Sequence, residues 1–233
     1  PKAKYQDPFQ PLLPGVEVTP YNDLAVLERV LDRTFAGVMV EVLQGEGGLE
    51  AMTPEFARAL NRLCQEQDVI LIADEVQTGL GRTGALFASR ELGLEADIIT
   101  LAKPLAGGLP LAAALLPAKV NELIHLGEHG TTFGGGPLAC RVALEFLNAI
   151  EKEKILKNVR KTGEYFRRRL LELRRKEPII IIDTYWNAAG EAVCPAALGV
   201  GFGGGPAQVD APASKSPSPA IRPIVMIRFI RFC

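Results

Sequence analysis

The 233-residue sequence lacks several features that would identify a class of protein. Its charge has no dominant sign, since 26 Lys and Arg residues stand against 27 Asp and Glu residues, whereas a general nucleic-acid binder needs a basic surface. It contains no run of about 18 apolar residues, which a membrane-spanning helix requires. Residues 1–5 lack the apolar stretch of a signal peptide. The sequence therefore predicts neither a nucleic-acid partner nor a membrane partner.

Metal-binding patterns are also missing. The cysteines have no metal-type spacing and do not suggest a disulfide framework in a chain of this size. They are Cys64, Cys140, Cys194 and Cys233. We interpret the two histidines, His125 and His129, as structural residues. We therefore expect no metal ion and a reducing compartment, namely the cytoplasm, or the mitochondrion or plastid if the source is eukaryotic.

What the sequence does have is enough apolar content for a packed core. Hydrophobic residues make up 48% of the chain, which argues against disorder, and the length corresponds to one domain or one and a half. The content is uneven, however. After Trp186 the chain has six Gly and six Pro but only two acidic residues, a shift toward low complexity.

Apolar runs and helical patterns alternate along the chain. The runs predict strands over residues 36–43, 69–73, 97–101 and 111–116. The patterns predict helices over residues 24–32, from 53 onward, and over about 117–126, 137–153 and 155–176. Either Asn22 or Asp23 can cap the first helix. Alternation at these lengths predicts an α/β fold with an open, mainly parallel sheet.

Polar residues follow the predicted strands at the points where they end. Glu41, Asp74, Glu75 and Lys103 all fall at or near carboxyl ends of strands. Because ligands of open α/β sheets bind beyond those ends, these positions indicate a ligand site.

Lys103 and Asp74 have a specific chemical use in common. Lys103 follows a buried strand and has Leu101 and Leu105 as neighbours, and apolar surroundings favour the neutral amine that forms a Schiff base with an aldehyde. Pyridoxal phosphate (PLP) is an aldehyde cofactor that needs a carboxylate at its ring nitrogen. Glycine turns at 107–108 and 134–136 would let the backbone approach a ligand. The residues by themselves indicate an α/β domain with a Lys/Asp ligand site.

Four segments sharpen this interpretation. Residues 41–48 (EVLQGEGG), 74–84 (DEVQTGLGRTG), 100–110 (TLAKPLAGGLP) and 129–140 (HGTTFGGGPLAC) resemble, in order and spacing, successive motifs of the class III PLP-dependent aminotransferases. The similarity is greatest to the acetylornithine and ornithine enzymes of that family, the former more closely. It extends from about residue 4 to residue 177.

The resemblance implies a fold and an activity. The fold would be a three-layer αβα arrangement, the large domain of fold type I PLP enzymes, here incomplete. Residues 1–177 would be part of that PLP-binding domain, and residues 178–233 a low-complexity or non-homologous tail, poorly ordered. The implied reaction transfers an amino group from N-acetylornithine to 2-oxoglutarate in arginine biosynthesis, and the implied assembly of the complete protein is a homodimer.

The resemblance also implies roles for individual residues. Lys103 would form the Schiff base and then shuttle a proton, and Asp74 would pair with the pyridinium nitrogen. Val76 would pack on the ring and Gln77 would approach its phenolic oxygen. Glu75 is expected to contact the cofactor as well.

Three further residues are implied by the same motifs. Thr132 would bind the cofactor phosphate across the dimer interface, and Thr131 would lie near the substrate. Alternatively, both threonines could simply cap the helix that starts near Pro137. Glu46 would pair with a carboxylate-binding arginine, although a solvated loop acid fits the same position.

The sequence also departs from the family. Val42 follows Glu41 where relatives usually have Pro, and Gly136 stands where an Asn commonly precedes Pro137. The family's phosphate turn and its C-terminal small domain are not recognisable. Other interpretations therefore remain: an ornithine or other ω-amino-acid aminotransferase, or a truncated product that keeps cofactor or dimer contacts without turnover. A dinucleotide enzyme lacks support, since no G-x-G-x-x-G follows the first strand.

Overall fold

The computed structural model of the protein describes residues 6–45, 49–176, 185–186, 192–193 and 223–228. Within these residues the strands are β1 (Val16–Pro20), β2 (Phe35–Glu41), β3 (Leu43–Gln44), β4 (Glu50–Ala51), β5 (Ile70–Asp74), β6 (Ile98–Leu101), β7 (Ala113–Leu115), β8 (Tyr185–Trp186), β9 (Ala192–Val193) and β10 (Pro223–Arg228). The helices are α1 (Leu24–Val30), α2 (Pro54–Gln67), α3 (Ala88–Glu91), α4 (Ala118–Asn121), α5 (Pro137–Lys152) and α6 (Ile155–Lys176).

Six of the strands form one sheet in the order β1-β10-β2-β5-β6-β7. Strands β2, β5 and β6 are parallel neighbours, whereas β7 and β10 run antiparallel to the strands beside them. Helices connect β1 to β2, β2 to β5 and β5 to β6. The predicted α/β fold with a mainly parallel sheet flanked by helices is confirmed.

Strand β2 and helix α2 form where the sequence predicts them. No residue of β2 is exposed, as expected for a strand covered on both faces. Helix α2 begins with a cap, because the Thr53 hydroxyl accepts the N–H of Phe56 at 3.2 Å and Pro54 occupies the first turn. Phe56, Leu60 and Leu63 form its buried stripe.

The turns before α1 and α2 are joined. Asp23, one of the two predicted candidates, caps α1 by accepting the N–H of Val26 at 3.0 Å. Asn22, at a left-handed φ of 59°, instead accepts the N–H of Thr53 at 3.0 Å and donates to the Ala51 carbonyl at 3.0 Å. The Asn22 side chain, in the turn before α1, therefore supplies hydrogen-bond partners to two backbone groups in the turn before α2.

One apolar core holds the sheet and its helices together. It takes residues from α1, β2, α2, β5, β6 and β10, among them Leu27, Val38, Phe56, Leu60, Leu71, Ile99 and Met226. Since Met226 contacts this core from β10, the C-terminal strand shares the core of the main sheet.

Strand β10 is the largest departure from the sequence-based expectation. It lies between β1 and β2, with Met226 opposite Glu17 on one side and Val38 on the other. Met226 is fully buried. Residues 223–228 belong to the region predicted as a poorly ordered tail, yet their β-branched residues favour a strand and they pair on both edges. Apart from these residues, β8 and β9, the predicted tail lies outside the described residues.

Other predicted elements differ in length. The strand predicted over 111–116 is reduced to β7, which is antiparallel to β6 and pairs with it alone among the described strands. The helix predicted over 117–126 is reduced to α4, since turns follow it. The segment before α1 contains β1 and a 3₁₀ turn, Asp7–Phe9.

Tyr21 links this core to the carboxyl end of β2. Its hydroxyl donates to the carbonyls of Glu41 at 2.7 Å and Val42 at 3.0 Å, and its ring centroid lies 6.0 Å from that of Phe56. Burial, reinforced by the nearby Glu50 and Glu41 carboxylates, raises the pKa of the Tyr21 phenol far above its ordinary value.

Tyr21→Phe is expected to lower the free energy of unfolding by about 1 kcal/mol at neutral pH, because two buried carbonyls lose a donor. It should also flatten the alkaline limb of the stability curve. An unfolded tyrosine ionises near pH 10 whereas folded Tyr21 stays neutral, so its contribution is complete below about pH 10 and is lost as the pH rises further. Urea unfolding between pH 7 and 11 measures both effects. The exposed Tyr165→Phe is the matched control, and an equal effect there would contradict the assignment.

Candidate active site

The ends of three neighbouring strands are in register. Glu41 of β2 is the pairing partner of Asp74 of β5, and Asp74 is the partner of Thr100 of β6. Lys103 follows two residues after the end of β6. The structure therefore brings the polar residues that follow the predicted strands to one edge of the sheet, where ligands of such folds bind.

Asp74 is held in a defined orientation. Its Oδ1 accepts the N–H of Val76 at 2.9 Å and the hydroxyl of Thr100 at 3.1 Å. Within the described part of the chain, Oδ2 makes no hydrogen bond. The side chain is half-buried. A carboxylate with one oxygen fixed and the other available can accept a hydrogen bond from a ligand N–H.

Lys103 lies beside Gln77. Its Nζ donates to the Oε1 of Gln77, which joins the turn after β6 to the turn after β5. Lys103 is exposed in this chain, so the expectation that Leu101 and Leu105 would surround its amine is wrong here. Those two leucines are buried, but the lysine begins the turn that follows the strand, where the chain leaves the core.

Glu75 does not point toward these residues. It is 1% exposed, and its Oε1 accepts the N–H of Ser89 at 2.6 Å while Oε2 accepts the hydroxyl of Thr78. Leu71, Ala73 and Glu75 are buried, whereas Ile72, Asp74 and Val76 are half-buried, so the alternation typical of a strand runs along β5 and continues into the turn after it. The structure thus places Glu75 on the opposite side from Asp74.

The remaining predicted residues are Val76, Gln77, Thr131, Thr132 and Glu46. Val76 and Gln77 are half-buried beside Asp74, and Gly45, which follows β3, lies next to the Gln77 side chain. Thr131 and Thr132 are exposed in the loop before α5. Glu46 lies outside the described residues.

The loop threonines do not act as a helix cap. The N-cap residue of α5 is Gly136, without a side-chain cap hydrogen bond, so the alternative interpretation of Thr131 and Thr132 is wrong. Within the described residues, the structure does not tie these two threonines to Asp74, Gln77 or Lys103 by hydrogen bonds.

Sequence reasoning missed Thr100. Its hydroxyl orients Asp74, and the signal was available, because the register of parallel strands places the end of β6 beside the end of β5. The described residues contain no group of three or more His, Cys, Asp or Glu able to hold a metal ion, and no helix among them has the length and apolarity needed to cross a membrane.

A mainly parallel sheet with a carboxylate and a lysine beyond neighbouring strand ends defines an α/β fold with a ligand site at that edge. The sequence profile of the class-III aminotransferases matches residues 1–182. This chain belongs to that family.

Individual relatives agree with this assignment. The chain is 44% identical over 176 residues to the acetylornithine aminotransferase of Methanocaldococcus jannaschii, a match that covers 76% of this chain and 44% of the relative. It is 45% identical over 186 residues to a probable mitochondrial acetylornithine aminotransferase of Dictyostelium discoideum, over 78% and 41% of the two chains. The chain therefore spans less than half the length of these relatives.

Solved structures of the family are also similar. The ornithine aminotransferase of Toxoplasma gondii superposes with a TM-score of 0.73 at 36% identity, over 80% of this chain and 44% of that one. The acetylornithine aminotransferase of Elizabethkingia anophelis gives a TM-score of 0.66 at 40% identity, over 70% and 41%. Both comparisons support the same sheet architecture.

Proposed function

We propose that this chain forms part of the PLP-binding domain of an aminotransferase that moves an amino group from N-acetylornithine to 2-oxoglutarate, a step of arginine biosynthesis. The observation that carries the proposal is the alignment of Asp74 with Thr100 at adjoining strand ends, with Lys103 just beyond them and in contact with Gln77. The family membership and the acetylornithine aminotransferases among the relatives support it.

The residues present fit PLP. The free Oδ2 of the fixed Asp74 carboxylate suits a protonated ring nitrogen, and the exposed Lys103 amine is accessible to an aldehyde. Val76 would pack against the ring, and Gln77 would reach its phenolic oxygen. When bound, PLP supplies an electron sink for the reacting carbon.

The chain's own residues would then perform the remaining tasks. Asp74, held by Thr100 and the Val76 N–H, would keep a negative charge against the ring nitrogen without rotating away. Lys103 would hold the ring in place and, once its amine is free, carry a proton to and from the substrate carbon. Gln77 accepts a hydrogen bond from the Lys103 amine in the structure, and it would orient this amine when the amine is free.

A second copy of the chain would complete the site. Thr131 and Thr132 are exposed, which is compatible with the phosphate being bound by Thr132 of a neighbouring subunit. Large apolar side chains around them are strongly exposed, namely Leu123, Leu126, Phe133 and Leu138. Apolar groups of this size are typical of a surface that associates, so we propose a homodimer.

The proposal has two alternatives. Solved ornithine aminotransferases are among the structural neighbours, which supports ornithine or another ω-amino acid as the substrate. The second alternative is a product that binds the cofactor without turnover. The mitochondrial names of some relatives support a mitochondrial location if the source is eukaryotic.

Reduction with borohydride tests the cofactor site directly. Adding PLP to the purified chain, reducing it and mapping peptides by mass spectrometry is expected to place the pyridoxyl label on Lys103 at near-stoichiometric yield. A label spread over many lysines, or absent, would contradict the proposed site.

Substrate preference is measured on the same PLP-loaded chain. We expect single-turnover spectral changes to be fastest with N-acetylornithine and slower with ornithine and 4-aminobutyrate. A preference for either of the other two would assign the alternative substrate. A labelled chain that reacts with none of the three would assign cofactor binding without turnover.

A further inference from the structure

Glu75 stands at the start of the loop that follows Asp74. Residues 75–91, here called the β5–α3 loop, run from the end of β5 through α3. The Glu75 carboxylate receives the N–H of Ser89 near the far end of this loop and the hydroxyl of Thr78 near its beginning. One buried side chain therefore closes the loop on itself.

The backbone of Glu75 is fixed as firmly as its side chain. Its N–H donates to the Thr100 carbonyl of β6 at 3.0 Å, and its carbonyl accepts the N–H of Gly79 at 2.7 Å. A Cβ at position 79 would stand 2.8 Å from that carbonyl, so only glycine fits the turn. Glu75 thus joins β6, the turn and α3.

The anchoring of Glu75 also affects the residues on either side of it. Glu75 is buried, whereas Asp74, the last residue of β5, and Val76, in the turn that follows, are half-buried. If the Glu75 carboxylate gave up its hydrogen bonds to Ser89 and Thr78, it would stay in the interior with neither partners nor water, which costs free energy. With Glu75 fixed in the interior, Asp74 and Val76 on either side of it are kept facing the candidate site.

The far part of the loop has a separate anchor on α6. Arg160 donates through Nε to the Gly84 carbonyl at 2.9 Å and pairs with Glu91 at 2.9 Å. Gly84 has a φ of +88°, and a Cβ there would lie 2.6 Å from the Arg160 side chain. Arg160 thus stabilises the far part of the loop through Gly84 and Glu91. A variant of Arg160 therefore serves as a control for a variant of Glu75.

We propose that Glu75 is a positioning residue, which holds Asp74 in the orientation that a PLP ring requires and does not itself contact the cofactor. The proposal rests on the proposed function for its ligand. The orientation of Asp74 can be measured without any ligand, because the Val76 N–H is protected only while Asp74 Oδ1 accepts it.

The first measurement is amide exchange of Val76 in the unliganded chain. We expect Glu75→Ala to accelerate exchange at Val76 about tenfold relative to core amides of β2, and Thr78→Val, which removes one donor and keeps the shape, to accelerate it less. Glu75→Gln should restore most of the protection, since its carbonyl oxygen can still accept the Ser89 N–H. Arg160→Ala should lower the unfolding midpoint and leave Val76 exchange unchanged.

The second measurement is PLP binding by absorption. Glu75→Ala is expected to raise the dissociation constant about tenfold and Arg160→Ala to leave it unchanged. Wild-type Val76 exchange in both Glu75→Ala and Thr78→Val would overturn the positioning role. So would an equal effect of Arg160→Ala, since it would mean general loosening of the loop. A wild-type chain that binds no PLP would overturn the proposed function instead, while the exchange measurement would still decide how Asp74 is held.

Discussion

Replacing Lys103 with alanine is expected to abolish the absorption band of the lysine-bound cofactor. The variant lacks the amine that an aldehyde needs, and the contact that joins the turns after β5 and β6 is lost with it. If the chain turns over, amino transfer should fall by about 10²–10⁴-fold, because the group that moves the proton is also missing. Absorption titration with PLP and single-turnover kinetics measure the two losses.

The matched control is Lys119→Ala. Lys119 is also exposed, but it pairs with Asp97 at 2.9 Å, just before β6 begins and thus at the opposite end of that strand. Its removal should leave the band and the label unchanged. A band that survives in Lys103→Ala, or one that disappears in Lys119→Ala, would show that the cofactor reacts elsewhere.

Met226→Asp is expected to lower the free energy of unfolding by about 3–5 kcal/mol, because a carboxylate would replace a thioether in a fully buried position. Met226 lies on a strand with partners on both edges, so the defect cannot be confined to an edge of the sheet. Urea unfolding followed by far-ultraviolet circular dichroism measures the change.

Two variants accompany this experiment. Met226→Leu conserves volume and should cost less than about 1.5 kcal/mol. Leu13→Asp makes the same apolar-to-acid change on an exposed side chain and should stay within about 0.5 kcal/mol of wild type. If Met226→Asp is as stable as Leu13→Asp, β10 does not contribute to the sheet in solution.

The centre of the fold could be predicted because its signals are local. The apolar runs of β2 and β5 and the Thr53–Pro54 start of α2 need no information from distant residues. The meeting of Asp74 with the turn after β6 follows from the same strands, since parallel neighbours end at one edge. Lys103 and Asp74 therefore emerge from the sequence together with the sheet.

Features that depend on long-range contacts were not predictable. The sequence of residues 223–228 resembles the low-complexity region around it. These residues form a strand because they pair between β1 and β2, which are distant in sequence. The exposure of Lys103 depends on how the turn after β6 leaves the core. The side of the chain on which Glu75 lies could have been read from the alternation of β5, but its partner Ser89 is placed by α3.

The position of β10 has a consequence for how the chain folds as it is synthesised. Strands β1 and β2 are made early, but the strand between them comes from residues 223–228, the last strand described. Contacts so distant in sequence carry a large loop-closure entropy and form slowly. On the ribosome, β2, β5 and β6 can assemble around α2 first, while β1 waits for its neighbour. Until β10 arrives, two strand edges stay unpaired, and that interval is when the nascent chain is most exposed to aggregation.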